Sequence, residues 1–274
     1  MNDIGTDPVL KVDRTDGIML LTLNRPDVRN AISPEMACRL ADAFAEFAED
    51  DALLVAILTG AGKAAFCSGG DLSRTLPLLS GAREPEDDWD RRLLNEPEVM
   101  ARSALRDFDL AKPVIAAING ACLAGGMETV LATDIRIAAE HATFGLPEAK
   151  RGLIPFAGSL ARLPRQIPYC VAMEMLLVGD SIGAAAAKEA GIVNYVVPAD
   201  EVLPKAWEIA RKIAANGPLA VQEIKRTVLE SSGRTLRESF RLEDEAKRRV
   251  MASRDAREGP RAFMEKRPPK YEGR

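Results

Sequence analysis

Two glutamates in the central part of the chain could form a general acid/base pair. Glu128 comes three residues after Gly125, in the first turn of a predicted helix, and Glu148 follows Pro147, a residue suited to the first helical position. Each glutamate could instead only stabilise a helix dipole. A short helix after Gly125 and a returning strand at 135–138 would bring both carboxylates to one pocket, where burial and mutual repulsion raise one pKa enough to retain a proton.

A glycine-rich turn at 60–72 could supply one backbone N–H donor. Its sequence, GAGKAAFCSGGDL, follows a predicted strand, and its small residues let backbone amides approach a ligand closely before a helix begins. The residues concerned are Ser68, Gly69 and Gly70 in the turn, then Asp71 and Leu72 at the predicted start of the helix. An ordinary strand-to-helix turn is the alternative interpretation.

Two nucleotide-binding patterns do not fit this turn. A Walker loop requires Gly and then Ser or Thr where Ile57 and Ala64 stand. A dinucleotide-binding turn requires a third glycine where Ala65 stands. The turn therefore does not predict a phosphate-binding loop of either kind.

A second glycine-rich segment, 111–134, could supply a second donor. Gly125 and Gly126 open a predicted helix, whose unpaired N–H groups and partial positive charge stabilise a developing oxyanion. Two amides directed at one carbonyl oxygen are what an enolate requires, and each contributes about a hundredfold in rate. The two segments together indicate chemistry on an acyl group.

Other catalytic groups have less support. His141 is the only histidine, so a Ser-His or Cys-His pair would depend on it alone. The cysteines form no C-x-x-C pair, so we expect neither a disulfide framework nor a metal site; they are Cys38, Cys67, Cys122 and Cys170. A thiol nucleophile at Cys67 or Cys122 is conceivable, but a small buried apolar role is the commoner one for a free cysteine.

The composition limits the classes of partner. With 274 residues, 47% hydrophobic and 28% charged, the chain is large enough for one substantial core. A net charge of -4 lacks the positive field that phosphate-backbone binding needs, so we expect no nucleic-acid partner. No basic and apolar leader opens the sequence and no run approaches eighteen apolar residues, so we expect a cytosolic protein with no membrane partner.

Hydrophobic periodicity predicts an α/β order that can position these residues. Strands are predicted at 9–12, 18–23, 53–59, 114–118, 135–138 and 192–197. Helices are predicted at 34–50, near 99–108, and at 202–215, 219–231 and 236–253. The polar stretch 83–90 is predicted to be a mobile surface segment. After Val197 the predicted elements are all helices, so we place a boundary there between a body, 1–197, and a helical segment, 198–274.

The ordered motifs resemble those of the crotonase superfamily, the enoyl-CoA hydratase/isomerase family. They are 24–33 (NRPDVRNAIS), 66–72 (FCSGGDL), 119–128 (NGACLAGGME), Pro147-Glu148, Arg162-Leu163-Pro164 and the closing segment 257–274. The sequences of 144–150 and of the closing segment are similar to those of the carnitinyl-CoA dehydratase-like branch. The resemblance spans nearly the whole chain.

The resemblance implies a spiral of repeated strand-strand-helix turns followed by a C-terminal helical segment. It implies an acyl-CoA thioester as substrate, with coenzyme A as part of that substrate and no other cofactor. The amides of Ser68 and Gly125 would form the oxyanion hole, Glu128 would deprotonate water, and Glu148 would protonate the α-carbon. Further substrate or CoA contacts would come from Arg29, Ala31, Ala65, Phe66, Gly69, Gly70, Asp71, Leu72, Phe156, Phe263 and Lys266.

Three expectations follow for specificity, assembly and activity. Phe156 stands where relatives often have a smaller residue, so we expect a narrowed acyl pocket and no long straight-chain substrate. Family relatives form trimers that pair into hexamers, so the helical segment is expected to support oligomerisation and to close the active site. The lead prediction is an enoyl-CoA hydratase; the alternatives are an enoyl-CoA isomerase and a non-catalytic acyl-CoA- or RNA-binding member.

Overall fold

A computed structural model describes residues 8–273, so the first seven residues of the predicted body, and Arg274 of the closing segment, lie outside the described residues. The strands are β1 (Leu10–Thr15), β2 (Ile18–Leu23), β3 (Val55–Gly60), β4 (Ala65–Cys67), β5 (Val114–Ile118), β6 (Ala121–Leu123), β7 (Ile135–Ala139), β8 (Thr143–Gly145), β9 (Ile182–Gly183) and β10 (Tyr195–Val197).

Helices occupy most of the remaining chain. The α-helices are α1 (Pro34–Glu49), α2 (Thr75–Leu79), α3 (Asp88–Asn95), α4 (Pro97–Ser103), α5 (Gly125–Val130), α6 (Ser159–Gln166), α7 (Tyr169–Leu177), α8 (Ala184–Glu189), α9 (Val202–Ala214), α10 (Pro218–Ser231), α11 (Leu236–Ala252) and α12 (Asp255–Met264). Short 3-10 helices are found at Pro26–Val28, Pro147–Arg151 and Ala199–Glu201.

The strands form two sheets, and the chain alternates between them. The larger sheet has the order β1-β2-β3-β5-β7-β10, and the smaller has β4-β6-β8-β9. All neighbours in the larger sheet are parallel except the β1-β2 hairpin. Each of the successive turns β3-β4, β5-β6 and β7-β8 adds one strand to each sheet. This alternation is the predicted α/β spiral.

The larger sheet carries the core of the molecule. All residues of β3 and β5 are buried, as expected for parallel strands covered on both faces. The first helix begins where the sequence predicts: the Ser33 side chain accepts a hydrogen bond of 3.2 Å from the Met36 amide, and Pro34 follows the cap. The helix α9 packs on β3, β5 and β7, and its Ala206 and Ala210 are fully buried. This first helix after Val197 thus belongs to the core, and the proposed boundary at that residue stays a prediction.

The segment between β4 and β5 differs from its prediction. The helix predicted near 99–108 corresponds to α4 alone, which begins earlier, at Pro97, and ends at Ser103, before Leu105 and Asp107 adopt positive φ angles of 50° and 49°. The sequence did not predict α3, which precedes it. The stretch 83–90 was expected to be a mobile surface segment, and this is wrong at its end, because Asp90 is fully buried and forms an ion pair of 2.6 Å with Arg83. Residues of this segment form the wall of the cavity described below.

The last three helices leave a large apolar area uncovered in the single chain. Large side chains with more than half of their area exposed include Ile224, Val228, Leu229, Leu236, Phe240, Met251, Phe263 and Met264. Between residues 8 and 273, no helix is long and apolar enough to cross a membrane. The cytosolic location stays a prediction.

Candidate active site

The two glycine-rich segments meet at the end of the smaller sheet. A Cβ atom built on Gly69, whose φ is +97°, would lie 2.5 Å from the Ala124 Cβ and 3.1 Å from the Gly125 amide nitrogen. A side chain at this position would therefore force the two segments apart. From the other side, a Cβ on Gly125 would lie 3.6 Å from the Gly70 amide nitrogen. The chain thus brings the backbone of Gly70 and Gly125 next to each other.

The free amide of the first glycine-rich turn belongs to Gly70 and not to Ser68, the predicted oxyanion donor. The Ser68 amide already donates a hydrogen bond of 3.0 Å to the Arg29 carbonyl, so it is not free for a substrate. The turn is held in place by two further bonds, from Ile32 N–H to the Gly69 carbonyl (2.8 Å) and from Asp71 N–H to the Ile32 carbonyl (3.0 Å). These bonds leave the Gly70 amide unused, and no residue in the described part of the chain accepts from it.

The second donor, Gly125, lies where the sequence predicts. It is the first residue of α5, so its amide has no partner within the helix. The preceding residue, Ala124, has φ 50° and ψ -128°, a conformation that glycine adopts at less cost. The Ala124 amide donates 2.9 Å to the Gly145 carbonyl of β8, which fixes this corner. The amides of Gly70 and Gly125 are therefore free backbone donors that the folded glycine segments present next to each other.

Glu128 is held by three donors from a distant loop. Its Oε1 accepts hydrogen bonds from the Ala157 amide (2.7 Å), the Ser159 hydroxyl (2.8 Å) and the Ser159 amide (3.3 Å). Burial raises the pKa of Glu128 above its ordinary value, while these donors and the charge of Arg162 oppose the rise. The result is a buried carboxylate with a fixed direction and a partly stabilised negative charge.

Glu148 has fewer groups around it than Glu128 that could stabilise a negative charge. It lies in the 3-10 turn Pro147–Arg151 and is 9% exposed, and its Oε2 is buried without a hydrogen-bond partner. Burial, with a smaller contribution from the negative charge of Glu128, raises the pKa of Glu148 to about 7. A carboxyl group with this pKa can both hold and release a proton at neutral pH.

Both acids and both amides line one cavity, with a volume of about 480 Å³. Of the predicted contact residues, the cavity wall includes Arg29, Ala31, Ser68, Asp71, Leu72 and Phe156. Its remaining surface is mainly apolar and comes largely from the segment between β4 and β5 and from 153–157. An apolar cavity with a few convergent polar groups is the usual form of a small-molecule site.

Other predicted contact residues lie away from this cavity. Ala65 and Phe66 are buried and do not line it, and the Ala65 carbonyl instead accepts from the Asn30 side chain at 2.9 Å. Gly69 is a spacer between the glycine segments and is not part of the wall. Phe263, 82% exposed, and Lys266 lie in and just after α12, outside the cavity wall of this chain.

The sequence did not predict the residues that hold Glu128. Ala157 contributes only its backbone, so its side chain gives no signal. Ser159 could have been noticed, because it stands in a pair, Gly158-Ser159, where the resembling family often has two glycines. Arg162, in a quoted motif, donates to the Leu105 carbonyl (2.5 Å) and so connects the loop that holds Glu128 to the segment after α4.

The other candidate nucleophiles do not take part in the cavity. Cys67 and Cys122 are fully buried, and burial raises the pKa of Cys67 to about 12 and that of Cys122 well above its ordinary value. His141 is exposed, with Nε2 3.1 Å from the Lys63 carbonyl. No group of three or more metal-ligating side chains occurs between residues 8 and 273.

Comparison with known proteins gives one consistent answer. The family profile described as Enoyl-CoA hydratase/isomerase matches residues 13–274. The enoyl-CoA hydratase EchA19 of Mycobacterium tuberculosis is 41% identical over 274 residues, with both chains covered in full. The carnitinyl-CoA dehydratase of Proteus mirabilis is 38% identical over 94% of this chain and 95% of its own. A crystal structure of enoyl-CoA hydratase from Bacillus anthracis superposes with a TM-score of 0.87 at 38% identity, covering 97% of this chain and all of the other.

Proposed function

The chain belongs to the enoyl-CoA hydratase/isomerase family, the crotonase superfamily, and from this premise we propose that it catalyses the reversible addition of water to a 2-enoyl-CoA thioester. The observation that carries this proposal is the presence of two unlike carboxyl groups and two free amides in one cavity. Addition of water requires a base for the water, an acid for the α-carbon and stabilisation of the intermediate enolate.

The amides of Gly70 and Gly125 take the thioester oxygen. Conjugation with the C=C bond lets negative charge collect on this oxygen when water attacks C3, and two N–H donors stabilise that charge. They need no reorganisation, because the backbone bonds described above fix both segments before the substrate arrives. Each donor contributes about a hundredfold in rate.

The two glutamates complete the proton balance. Glu128, ionised and held by Ala157 and Ser159, accepts a proton from water as its oxygen bonds to C3. Glu148, protonated, donates its proton to C2 as the enolate collapses. The pair holds one proton before and after the reaction, now on Glu128, and dehydration of a 3-hydroxyacyl-CoA follows the same steps in reverse.

The proposal extends to assembly. The exposed apolar residues of α10, α11 and α12 support a homotrimer or a pair of trimers, because a monomer would leave them in water. In such an assembly Phe263 and Lys266, which lie outside their own chain's cavity, are available to close the cavity of a neighbour. Light scattering of the purified protein tests the trimer directly.

A hydration assay tests the activity. The protein is mixed with crotonyl-CoA and with longer 2-enoyl-CoA thioesters, and loss of the conjugated enone absorbance is followed with mass analysis of the product. We expect loss of absorbance and a gain of one water per thioester. Unchanged absorbance with every thioester, together with conversion of a 3-enoyl-CoA to its 2-enoyl isomer, would replace hydratase by isomerase; tight CoA-ester binding with neither reaction would indicate a non-catalytic member.

A further inference from the structure

The Gly70 amide is fixed by hydrogen bonds and not by side-chain packing. Beyond its own chain neighbours, a Cβ atom built on Gly70 would meet no heavy atom of the described residues within 4 Å. Gly70 lies outside the helices and strands given above and forms an isolated parallel bridge with Ile32. Gly125, in contrast, is held as the first residue of α5. The direction of the Gly70 N–H therefore depends on what holds the two segments that form this bridge.

The Arg25 side chain joins the two segments of this bridge. Its Nη1 donates a hydrogen bond of 2.6 Å to the carbonyl of Ala31, the residue before Ile32. The same nitrogen donates a hydrogen bond of 2.9 Å to Oδ2 of Asp71, the residue after Gly70. We call Arg25, Ala31 and Asp71 the Arg25 clamp. Because both contacts come from one nitrogen, the clamp keeps the two backbone segments at a fixed separation.

Both carboxylate oxygens of Asp71 are occupied by the protein. Oδ2 accepts from Arg25, and Oδ1 accepts from the Ser73 hydroxyl (2.6 Å), the Ser73 amide (3.0 Å) and the Arg74 amide (3.2 Å). Burial would raise the pKa of Asp71, but the hydrogen bonds from Ser73 and Arg25 outweigh burial and lower it. Asp71 lines the cavity, yet its negative charge is committed to the turn that carries Gly70.

The Arg25 clamp is anchored on the smaller sheet. Asn30 is fully buried, and its Oδ1 accepts a hydrogen bond of 3.0 Å from the Arg25 amide. Its Nδ2 donates to the carbonyls of Ala61 (3.0 Å) and Ala65 (2.9 Å), and Ala65 is the first residue of β4. Arg25 itself is not part of the cavity wall. Arg25 therefore acts on a bound thioester through the residues that it holds.

We propose that Arg25 is a positioning residue for the oxyanion donor Gly70: by holding Ala31 and Asp71, it directs the Gly70 N–H at the thioester oxygen. This inference rests on the proposed function, in which the amides of Gly70 and Gly125 take that oxygen. A hydrogen bond weakens steeply when its donor is misaligned, and a displacement of about 1 Å lowers a rate about a hundredfold. Loss of the clamp therefore acts on the transition state more than on binding of the CoA portion.

The carbonyl stretch of a bound thioester tests the clamp without turnover. Butanoyl-CoA labelled with 13C at the thioester carbonyl has no C=C bond to hydrate, and hydrogen bonds to its oxygen lower the stretching frequency. In isotope-edited infrared difference spectra we expect the wild type to lower this frequency. Arg25→Met should lose at least about half of that shift, because one of the two donors is misdirected. A variant that is merely less stable would weaken the bound band and leave its frequency unchanged.

Three further variants assign the effect to the clamp. Arg25→Lys keeps a positive nitrogen that can donate to both acceptors, so it should retain most of the shift. Arg25→Met combined with Asp71→Asn leaves no unpaired buried charge, which protects folding, and it should lose as much as Arg25→Met alone because both substitutions break one contact. Lys225→Gln is the matched control: the Lys225 Nζ also joins one carbonyl, of Lys112 (2.9 Å), to one carboxylate, of Asp134 (2.8 Å), away from the cavity wall.

The kinetics of hydration give a second measurement. With crotonyl-CoA, kcat should fall about 10- to 100-fold in Arg25→Met while KM changes less than about threefold, and Lys225→Gln should match the wild type. A wild-type carbonyl shift and kcat in folded Arg25→Met, or an equal loss in Lys225→Gln, would overturn the proposal. Absence of hydration, with the carbonyl shift present in the wild type and lost in Arg25→Met, would reject the hydratase and retain the clamp.

Discussion

Glu128 and Glu148 line the same cavity, yet the two regions that carry them treat a negative charge differently. Glu128 lies in the first turn of α5 and receives three hydrogen bonds on one oxygen. Glu148 lies in a 3-10 turn and keeps one buried oxygen without a donor. Burial raises the pKa of both groups. The difference indicates that the supply of donors, and not burial alone, sets how far the pKa of each carboxyl group rises.

The largest expected effect is the loss of hydration activity when either glutamate is replaced by glutamine. Glu128→Gln and Glu148→Gln should each lower kcat for hydration by about 100- to 10,000-fold, because each removes one proton-transfer group. Exchange of the C2 proton of butanoyl-CoA in D2O separates their roles, since only Glu148 serves C2. We expect exchange to persist in Glu128→Gln and to vanish in Glu148→Gln, and the opposite pattern would reverse the assignment.

The pH dependence follows from the single proton that the pair must hold. Hydration uses ionised Glu128 and protonated Glu148, and dehydration uses the same pair with the proton moved, so both directions need one proton in total. With the pKa of Glu148 at about 7, kcat/KM should fall about tenfold per pH unit above pH 7 in both directions. Profiles that stay flat to pH 9 would contradict the proposed pair.

The raised pKa of Glu148 also affects the stability of the folded protein. The pKa of Glu148 is raised from 4.5 to about 7 in the folded state, so its contribution to stability is fully present below pH 4.5 and is lost as the pH rises through 7. Glu148→Gln removes this loss, and it should exceed the wild type in unfolding free energy by about 2–3 kcal/mol at pH 8. Urea unfolding at pH 8 and pH 4.5 measures the difference, which should disappear at the lower pH.

The smallest expected effect comes from Ser159→Ala, which makes the surroundings of Glu128 more like those of Glu148. Ser159→Ala removes one hydroxyl donor, at 2.8 Å, from Glu128 and should raise the pKa of that carboxyl group further. We expect kcat/KM near neutral pH to fall about five- to tenfold, with the acid limb of the pH profile moved upward. Thr129→Val is the control, because the Thr129 hydroxyl lies in the same cavity but bonds to the Gly125 carbonyl instead.

The sheet and the acid pair could be predicted because their signals are local. The runs 18–23 and 114–118 are apolar, bounded by turn residues, and become strands with those same bounds. The strands of the smaller sheet have only two or three residues each, too few for a periodic pattern, so the sequence did not indicate them. Their pairing depends on the spiral as a whole.

The errors at the site have a shared cause in distant contacts. Whether Ser68 or Gly70 offers a free amide is decided by hydrogen bonds to Arg29 and Ile32, almost forty residues earlier. The burial of Asp90 depends on the packing of α3 against α1, about fifty residues earlier in the chain, whereas the polarity of 83–90 alone predicts a surface segment. None of these contacts has a signal in the neighbouring sequence.

The alanine before the helix α5 has one more consequence. Ala124 keeps φ at 50° without being glycine, which costs roughly 1–3 kcal/mol relative to a relaxed backbone. Glycine would remove this strain but would give the unfolded chain more conformations to lose on folding. The alanine thus leaves the folded backbone strained at this residue, while the unfolded chain has fewer conformations than it would have with glycine. The peptide that presents the Gly125 N–H is consequently confined to one orientation by the chain itself, with or without a thioester to hold it there.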